Sequence, residues 1–298
     1  MQITASLVNE LRQKTGVGMM QCKKALVETD GDIEKALELL RKQGAAVAAK
    51  RADKAAKEGR VYLVEAADKA CAFELSCETE PVSNNDDFVA LAALAVKACE
   101  SQAIASVEDL KNAVVDGVKI ADRLSDVLVK IQENIDFRKF AEIKKAPNTV
   151  FGLYSHMKGK IGVITELAFE GSANDEAALK QAAKDIAMQA AAFAPVALND
   201  ASVPAETIEK EKEIARAQIE LQAQQTGKAT KPEFVQRQID GRVAKVLKEI
   251  VLEDQEFFMA EKNPKKLAVK DYLQEVVAKQ LGLSSLKVVN FIRFERGN

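Results

Sequence analysis

The sequence Cys71-Ala-Phe-Glu-Leu-Ser-Cys77 is followed by Glu78-Thr-Glu-Pro-Val82 and then by Ser83-Asn-Asn-Asp-Asp-Phe88. Apolar and polar side chains alternate in the first segment, which is the pattern of a half-buried β-strand. From Phe88 onward the apolar residues recur at helical spacing, and the preceding Ser and Asn residues are good helix N-caps. A strand therefore leads into a helix through the acidic turn 78–82. Such a turn is suited either to binding a partner or to serving as an ordinary solvated connection.

The composition is that of a globular protein that lacks the usual parts of a catalytic site. Of 298 residues, 47% are hydrophobic and 30% are charged, and the net charge of −2 gives no general attraction to nucleic acid or anionic membranes. No apolar run could span a bilayer and Met1-Gln-Ile-Thr4 begins no signal peptide, so we expect a cytoplasmic location. The four cysteines lack metal-ligand spacing and are expected to be buried, reduced thiols. Because there is one histidine, no P-loop and no nucleophile–histidine pattern, we expect neither an enzyme nor a cofactor.

The segment 1–44 predicts a module of three short helices, broken at Thr15-Gly-Val-Gly18 and at Thr29-Asp-Gly-Asp32. The third helix is expected to stop at Gly44. Such a short segment forms a small core, which favours a binding module over a catalytic domain. The segment 45–59 is rich in Ala, Lys and Arg and is interpreted as a charged linker that is partly helical.

Met19, Met20 and Lys23 are the candidate binding residues of the helical module. Neighbouring methionines adapt readily to an apolar groove on a partner. The alternative is that Met20 simply belongs to the core of the module.

From residue 60 onward the chain repeats itself loosely. Each half has a β-hairpin, an Ala-rich amphipathic helix and a short aromatic strand, which is Ile135–Phe140 in the first half and Asn290–Glu295 in the second. The sequence therefore predicts an α+β fold with two related antiparallel-sheet subdomains, at 60–146 and 147–298.

The second half carries an insertion at 204–252 that predicts two long helices on either side of a break at Thr226–Pro232. Two helices of this length form an antiparallel arm about 30 Å long. We interpret the arm as an interaction device, the alternative being that it packs on the core. A further helix is expected to start at Asn263-Pro264 and to end at Gly282, within a carboxy-terminal module at 263–298.

Several of these stretches resemble the signatures of one protein family. Leu11-Arg-Gln-Lys-Thr-Gly-Val-Gly-Met-Met-Gln-Cys-Lys-Lys-Ala-Leu26, with Gly31-Asp-Ile-Glu-Lys-Ala36, is similar to the amino-terminal signature of bacterial elongation factor Ts. Glu74–Thr79, Glu133–Arg138 and Phe291–Glu295 resemble later signatures in the same order. The resemblance implies a ubiquitin-associated-like helical module, a core of two subdomains, a coiled-coil arm and a carboxy-terminal module.

The function that the resemblance implies is guanine-nucleotide exchange on elongation factor Tu during translation elongation. The protein would bind the GDP-bound partner, perturb its Mg²⁺ and phosphate site, promote GDP release and hold the nucleotide-free form until GTP binds. This protein would thus affect GDP and Mg²⁺ only through the partner. No direct contact with nucleic acid or a membrane is expected, and the question whether it forms a dimer or a 2:2 complex stays open. The alternative is an adaptor that binds a partner through the helical module and the arm without exchanging nucleotide.

The family's partner contacts correspond here to Arg12, Met19, Met20, Lys23, Thr79, Glu80, Pro81, Val82, Ile131 and His156.

Four positions depart from the family pattern. Glu80-Pro81 replaces the usual Asp-Phe of the turn that is pushed into the partner, Gln132 replaces a glycine, and Gln189 replaces a histidine. An aromatic wedge buries more surface than a proline, so its loss would cost about 1–3 kcal/mol of contact. Pro81 still offers a smaller and stiffer wedge. Either the partner has changed to match, or exchange relies more on the other contacts.

Overall fold

The computed structural model describes residues 3–226 and 232–298. The chain divides into two compact units. Unit 1 consists of Met1–Lys145, Ser155–Gly162 and Phe294–Asn298, and unit 2 consists of Ala146–Tyr154 and Val163–Arg293. Helices and small antiparallel sheets are combined, which confirms the predicted α+β class.

The first 145 residues contain these elements in order: α1 (Ala5–Thr15), α2 (Met19–Glu28), α3 (Ile33–Arg51), β1 (Glu58–Glu65), β2 (Lys69–Cys77), α4 (Glu80–Ser83), α5 (Asp86–Ser101), α6 (Val107–Asn112), β3 (Val114–Val115), β4 (Val118–Lys119), α7 (Ile120–Ile131) and β5 (Asp136–Lys144).

The remaining elements are β6 (Thr149–His156), a 3₁₀ turn (Met157–Gly159), β7 (Ile161–Glu170), α8 (Glu176–Phe193), α9 (Ala205–Thr226), α10 (Pro232–Ile250), α11 (Val269–Tyr272), a π-helical segment (Leu273–Ala278), α12 (Lys279–Leu281) and β8 (Ser285–Glu295).

Helices α1 to α3 pack around the fully buried side chains of Leu11, Leu26 and Leu40. Thr4 caps α1 by accepting a hydrogen bond from the Leu7 amide, which satisfies one of the free donors of the first turn. Gly16 ends the helix in the left-handed conformation, with φ of 70°.

The prediction that the third helix stops at Gly44 is wrong, because α3 continues to Arg51. Gly44 lies where α3 crosses α7, and a Cβ atom at this position would be 2.6 Å from the carbonyl oxygen of Ser125. The glycine therefore allows two helices to approach closely and does not end one of them. Much of the segment that was expected to be a linker is consequently part of α3.

Strand β2 lies at the centre of a three-stranded antiparallel sheet with the order β1-β2-β5. The predicted half-burial of this strand is wrong, because every residue of β2 is buried. On one face Phe73 packs with Phe88 of α5 and Phe137 of β5. The cysteines are buried free thiols, as predicted.

The other face of β2 is covered by a segment that the sequence places far away, residues 294–298, which we call the clasp. The buried carboxylate of Glu74 accepts hydrogen bonds from Ser76 Oγ (2.8 Å) and from the Gly297 amide (3.0 Å), and it pairs with Lys139 (3.0 Å). Lys139 also donates to the Glu295 carbonyl. Arg296 forms an ion pair with Glu58 of β1 at 2.7 Å. These contacts explain how two polar residues of β2 are accommodated inside the protein.

Unit 2 contains most of the second sheet, with the order β6-β7-β8, and the two long helices α9 and α10. Both closing strands, β5 and β8, are longer than their predicted aromatic cores. Helices α9 and α10 pack through Ala215, Ile219, Ile239 and Val243. Arg242 of α10 donates to Gln218 of α9 at 2.6 Å. Most of the break that was predicted between the two helices, residues 227–231, lies outside the described residues.

The predicted helix start at Asn263-Pro264 is wrong, since α11 begins at Val269. The side chain of Asn263 is buried and donates to the carbonyls of Phe257 and Leu267, at 3.0 and 2.9 Å. Its oxygen accepts from the Leu267 amide at 2.8 Å, so the segment folds as a turn around this side chain. The helical region ends at Gly282 with φ of 70°, as predicted.

Within the part of the chain that the structure describes, none of the helices has the length and apolarity that crossing a membrane requires.

Candidate partner-binding surface

Helix α2 presents two methionines to solvent. Its inner face buries Cys22, Ala25 and Leu26, so the helical period turns the side chains one or two positions away from these outward. Met19 and Met20 are 55% and 67% exposed. The alternative that Met20 belongs to the core is therefore wrong. Lys23 on the same helix and Arg12 on α1 are also exposed.

The predicted turn after β2 contains one turn of helix, α4, with Thr79 at its N-cap position. Glu80 and Pro81 occupy the first two helical positions and are exposed. Proline fits there because the first amides of a helix have no partner within it. Val82 is half-buried and packs against the core beneath β2.

Glu78 does not extend into solvent with the rest of the turn. Its carboxylate accepts a hydrogen bond from the Asn134 amide (2.6 Å) and forms an ion pair with Arg51, the final residue of α3 (2.9 Å). Burial alone would raise the pKa of Glu78, but the hydrogen bond from Asn134 and the charge of Arg51 together lower it. Glu78 thus stays ionised and connects the base of the turn to two other elements.

The tip of the turn is held by neighbouring polar groups. Thr79 donates through its amide and its hydroxyl to the Glu133 carboxylate, at 3.1 and 2.8 Å. On the other side the Glu80 carbonyl accepts from Ser83 Oγ at 2.7 Å and from Asn84 Nδ2 at 3.1 Å. The exposed tip therefore stands on a hydrogen-bonded base.

The end of α7 lies between helix α2 and this turn. Ile131 is half-buried against the core, and Gln132 ends the helix in the left-handed conformation with φ of 65°. The side chain of Gln21 in α2 donates to the Val129 carbonyl of α7 at 3.4 Å. Glu133, two residues beyond Ile131, reaches the turn. The structure thus connects α2, the end of α7 and the turn in one series of contacts within unit 1.

Charged groups fasten the helical module to α5 and α7. Arg123 of α7 donates to the Thr15 carbonyl at 3.3 Å and pairs with Asp87 at 3.0 Å, and Lys130 pairs with the same aspartate. Asp126 lies on α7 beside these groups. Burial raises its pKa to about 7, a rise that Arg123 partly opposes.

His156 is the exposed last residue of β6, and the segment that follows it packs on β1. A Cβ atom at Gly159 would be 2.9 Å from the Val61 carbonyl oxygen, so the approach is close. Arg60 of β1 donates to Asn84 just beyond α4, at 2.5 Å. The histidine segment and the turn therefore both adjoin the same strand.

The other departure from the family pattern, Gln189, lies in the interior of unit 2. It is fully buried on α8. Its amide group donates to Gln255 Oε1 at 3.0 Å and accepts from the Phe258 amide at 2.9 Å. Gln189 is therefore a packing residue and forms no part of the surface.

Sequence patterns do not reveal the residues that hold the site together. Arg51 lies in the segment interpreted as a linker, and no local pattern links it to Glu78. Glu133 is marked in the sequence only as the first residue of the Glu133–Arg138 signature. Asp87 is a favourable charge in the first turn of a helix, and the structure shows that it also joins Arg123 and Lys130. Among the described residues, no group of histidine, cysteine and acidic side chains is arranged to hold a metal ion.

Comparison with known proteins identifies the family. The family model described as Elongation factor TS matches residues 78–298. Elongation factor Ts of Clostridium novyi (strain NT) is 42% identical over 300 residues, covering 99% of this chain and 93% of that protein. The protein of the same name from Nautilia profundicola is 41% identical, with 99% and 93% coverage, and that from a Nitratiruptor species is 42% identical, with 100% and 94% coverage. This chain belongs to the elongation factor Ts family.

Proposed function

We propose that this chain is a guanine-nucleotide exchange factor for elongation factor Tu in translation elongation, and that it acts through the unit 1 surface described above. The observation that carries the proposal is the continuity of this surface. Exposed Met19 and Met20 on α2 are connected through the end of α7 to the exposed, braced tip at Glu80-Pro81. Helix α2 and the turn can therefore contact the same partner domain at the same time.

The separate elements have different tasks in this proposal. The helical module, which was predicted at 1–44 and which α3 extends to Arg51, is ubiquitin-associated-like in this proposal and supplies Arg12, Met19, Met20 and Lys23 for affinity. The turn Thr79–Val82 supplies the wedge, and Ile131 and His156 provide flanking contacts. The helix pair at 204–252 acts as a coiled-coil arm, and 263–298 forms a carboxy-terminal module. The core subdomains correspond to the predicted 60–146 and 147–298, except that Ser155–Gly162 and Phe294–Asn298 belong to unit 1 with the first subdomain. The protein works in the cytoplasm.

Exchange requires no covalent chemistry by this chain. A factor that binds the nucleotide-free partner more tightly than the GDP-bound partner must weaken GDP binding by the same ratio. The wedge achieves this by displacing the partner's Mg²⁺ and phosphate site, since the metal neutralises much of the phosphate charge. The nucleotide-free complex then persists until GTP binds.

The test is stopped-flow release of a fluorescent GDP from the cognate elongation factor Tu at increasing concentrations of this protein. We expect a saturable acceleration. The double variant Met19→Ala/Met20→Ala should raise the half-saturating concentration by at least about tenfold, because two exposed apolar contacts are lost. The control is Val27→Ala, which truncates another exposed apolar side chain of the same helix outside the proposed contact set.

The competing function is that of an adaptor that binds without exchange. It predicts that a complex forms while GDP release keeps its intrinsic rate, and this result would refute the proposal. The same assay tests whether the partner is matched to the shorter wedge. If Pro81→Phe made release from the cognate partner at least tenfold faster, the matched-partner hypothesis would be wrong.

A further inference from the structure

The turn that carries Glu80 and Pro81 is fastened to the segment after α7 by hydrogen bonds that run in both directions. Glu78 accepts from the Asn134 amide, and the next residue, Thr79, donates twice to the Glu133 carboxylate. Residues 78–79 and 133–134 lie outside the strands, so these bonds are not part of a sheet ladder. They join the turn to the chain just beyond Ile131.

Helix α4 depends on such outside contacts for its geometry. A helix of four residues is far too short to be stable by itself. A threonine at the N-cap usually directs its hydroxyl to an amide of its own helix, but here the Thr79 hydroxyl donates to Glu133. The direction in which α4 leaves the strand is therefore set by Glu133. Behind the tip, Ser83 and Asn84 bind the Glu80 carbonyl and so hold the other end.

We propose that Glu133 is a positioning residue for nucleotide exchange, which through Thr79 holds the Glu80-Pro81 tip at a fixed angle against the partner. This inference rests on the proposed function. A small side chain can displace atoms of the partner only if the turn that carries it keeps its conformation. If the turn moves instead, the contact energy deforms the turn and not the partner. Pro81 has less reach than a large aromatic residue, so the rigidity of its base matters more. The ion pair between Arg51 of α3 and Glu78 supports the base of the turn as well.

The experiment compares Glu133→Ala with the full-length wild type in the GDP-release assay over a range of factor concentrations. We expect the saturating release rate to fall at least about tenfold, because Thr79 loses both of its hydrogen bonds to the Glu133 carboxylate. The half-saturating concentration should stay within about twofold, because the exposed side chains of α1 and α2 are unchanged. A merely structural role would instead weaken binding and lower the thermal midpoint together.

Two further variants separate positioning from general damage. Glu133→Gln keeps an oxygen for the Thr79 amide and an amide group for its hydroxyl, so it should recover most of the rate. Thr79→Val removes only the hydroxyl donor and should slow release by itself. The double variant Glu133→Ala/Thr79→Val should release GDP no more slowly than Glu133→Ala, because both substitutions remove the same hydrogen bond between Thr79 and Glu133.

The outcomes distinguish this inference from the function on which it rests. If the wild type accelerates release and Glu133→Ala does so equally well, the positioning role is overturned while the proposed function stands. A rise in the half-saturating concentration that accounts for the whole loss, or no recovery in Glu133→Gln, would also overturn it. If the wild type itself leaves GDP release unchanged, the proposed function fails and the positioning role fails with it.

Discussion

Replacing Gly44 with alanine tests whether the close crossing of α3 and α7 determines how the helical module is attached. Alanine is the better helix former by about 1 kcal/mol, so propensity alone predicts a gain in stability. A Cβ atom, however, would meet the carbonyl oxygen of Ser125 at 2.6 Å and its Cα and carbonyl carbon at 3.0 Å. These are backbone atoms of a helix, which cannot move aside as a flexible side chain would.

The expected sign follows from these two opposing effects. Overpacking of an interior costs about 1–3 kcal/mol, and contacts with fixed backbone belong at the upper end of this range. After the gain in helix propensity, Gly44→Ala should lower the free energy of unfolding by about 1–2 kcal/mol. If glycine merely ended the helix there, as the sequence suggested, alanine would show no such penalty.

Urea unfolding followed by circular dichroism provides the measurement, with the midpoint and the slope recorded for each variant. The matched control is Gly241→Ala, which also changes a glycine in the interior of a helix. No described atom lies within 4 Å of a Cβ at that position, so this variant should gain up to about 1 kcal/mol. The reasoning would be refuted if Gly44→Ala were as stable as the wild type, or if both alanines had the same effect.

Three more predictions concern single residues. Gln132→Gly should raise the urea midpoint, since glycine relieves about 1 kcal/mol of left-handed strain at φ of 65°; a lower midpoint would show that the side-chain bond of Gln132 to Val129 matters more. Burial raises the pKa of Asp126 to about 7, above its unfolded value, so its contribution to stability is complete below about pH 4 and disappears as the pH rises through 7. Asp126→Asn should therefore weaken the pH dependence of the thermal midpoint between pH 5 and 8. It should also raise the free energy of unfolding at pH 8 by up to about 4 kcal/mol, and an unchanged pH profile would exclude this titration. Gln189→Ala should cost about 3 kcal/mol in urea unfolding, because it leaves Gln255 without its buried partner; a loss below 1 kcal/mol would contradict that account.

Local sequence patterns predicted the elements whose causes lie within a few residues. The breaks between α1, α2 and α3 and the glycine that ends α12 each depend on neighbours within one or two helical turns. The outward direction of Met20, two positions before the buried Cys22, is compatible with the same helical period. For this reason the amino-acid sequence was enough to locate the three helices of the module, although it left open whether Met20 lies in the core.

The failed prediction at Gly44 and the overlooked role of Glu133 have a different cause, which is a partner distant in sequence. Gly44 has the same local signal whether it ends a helix or admits a crossing helix, and only Ser125 decides between the two. Asn263 followed by proline resembles a helix start. Its side chain instead donates a hydrogen bond to the carbonyl of Phe257, six residues earlier. The bracing role of Glu133 is likewise visible only once Thr79 lies beside it. No window of a dozen residues contains the partners of Gly44 or Glu133.

The clasp has a consequence for how the protein is made. The amide of Gly297 that binds the buried carboxylate of Glu74 is 223 positions further along the chain. At bacterial rates of roughly 5–20 residues per second, the ribosome needs on the order of 10 to 45 seconds to reach it. During that interval the face of the central strand that the clasp covers stays open to water, and the Glu74 carboxylate is hydrated until the Gly297 amide binds it. The sheet that is synthesised first is thus completed only after Gly297 has been synthesised.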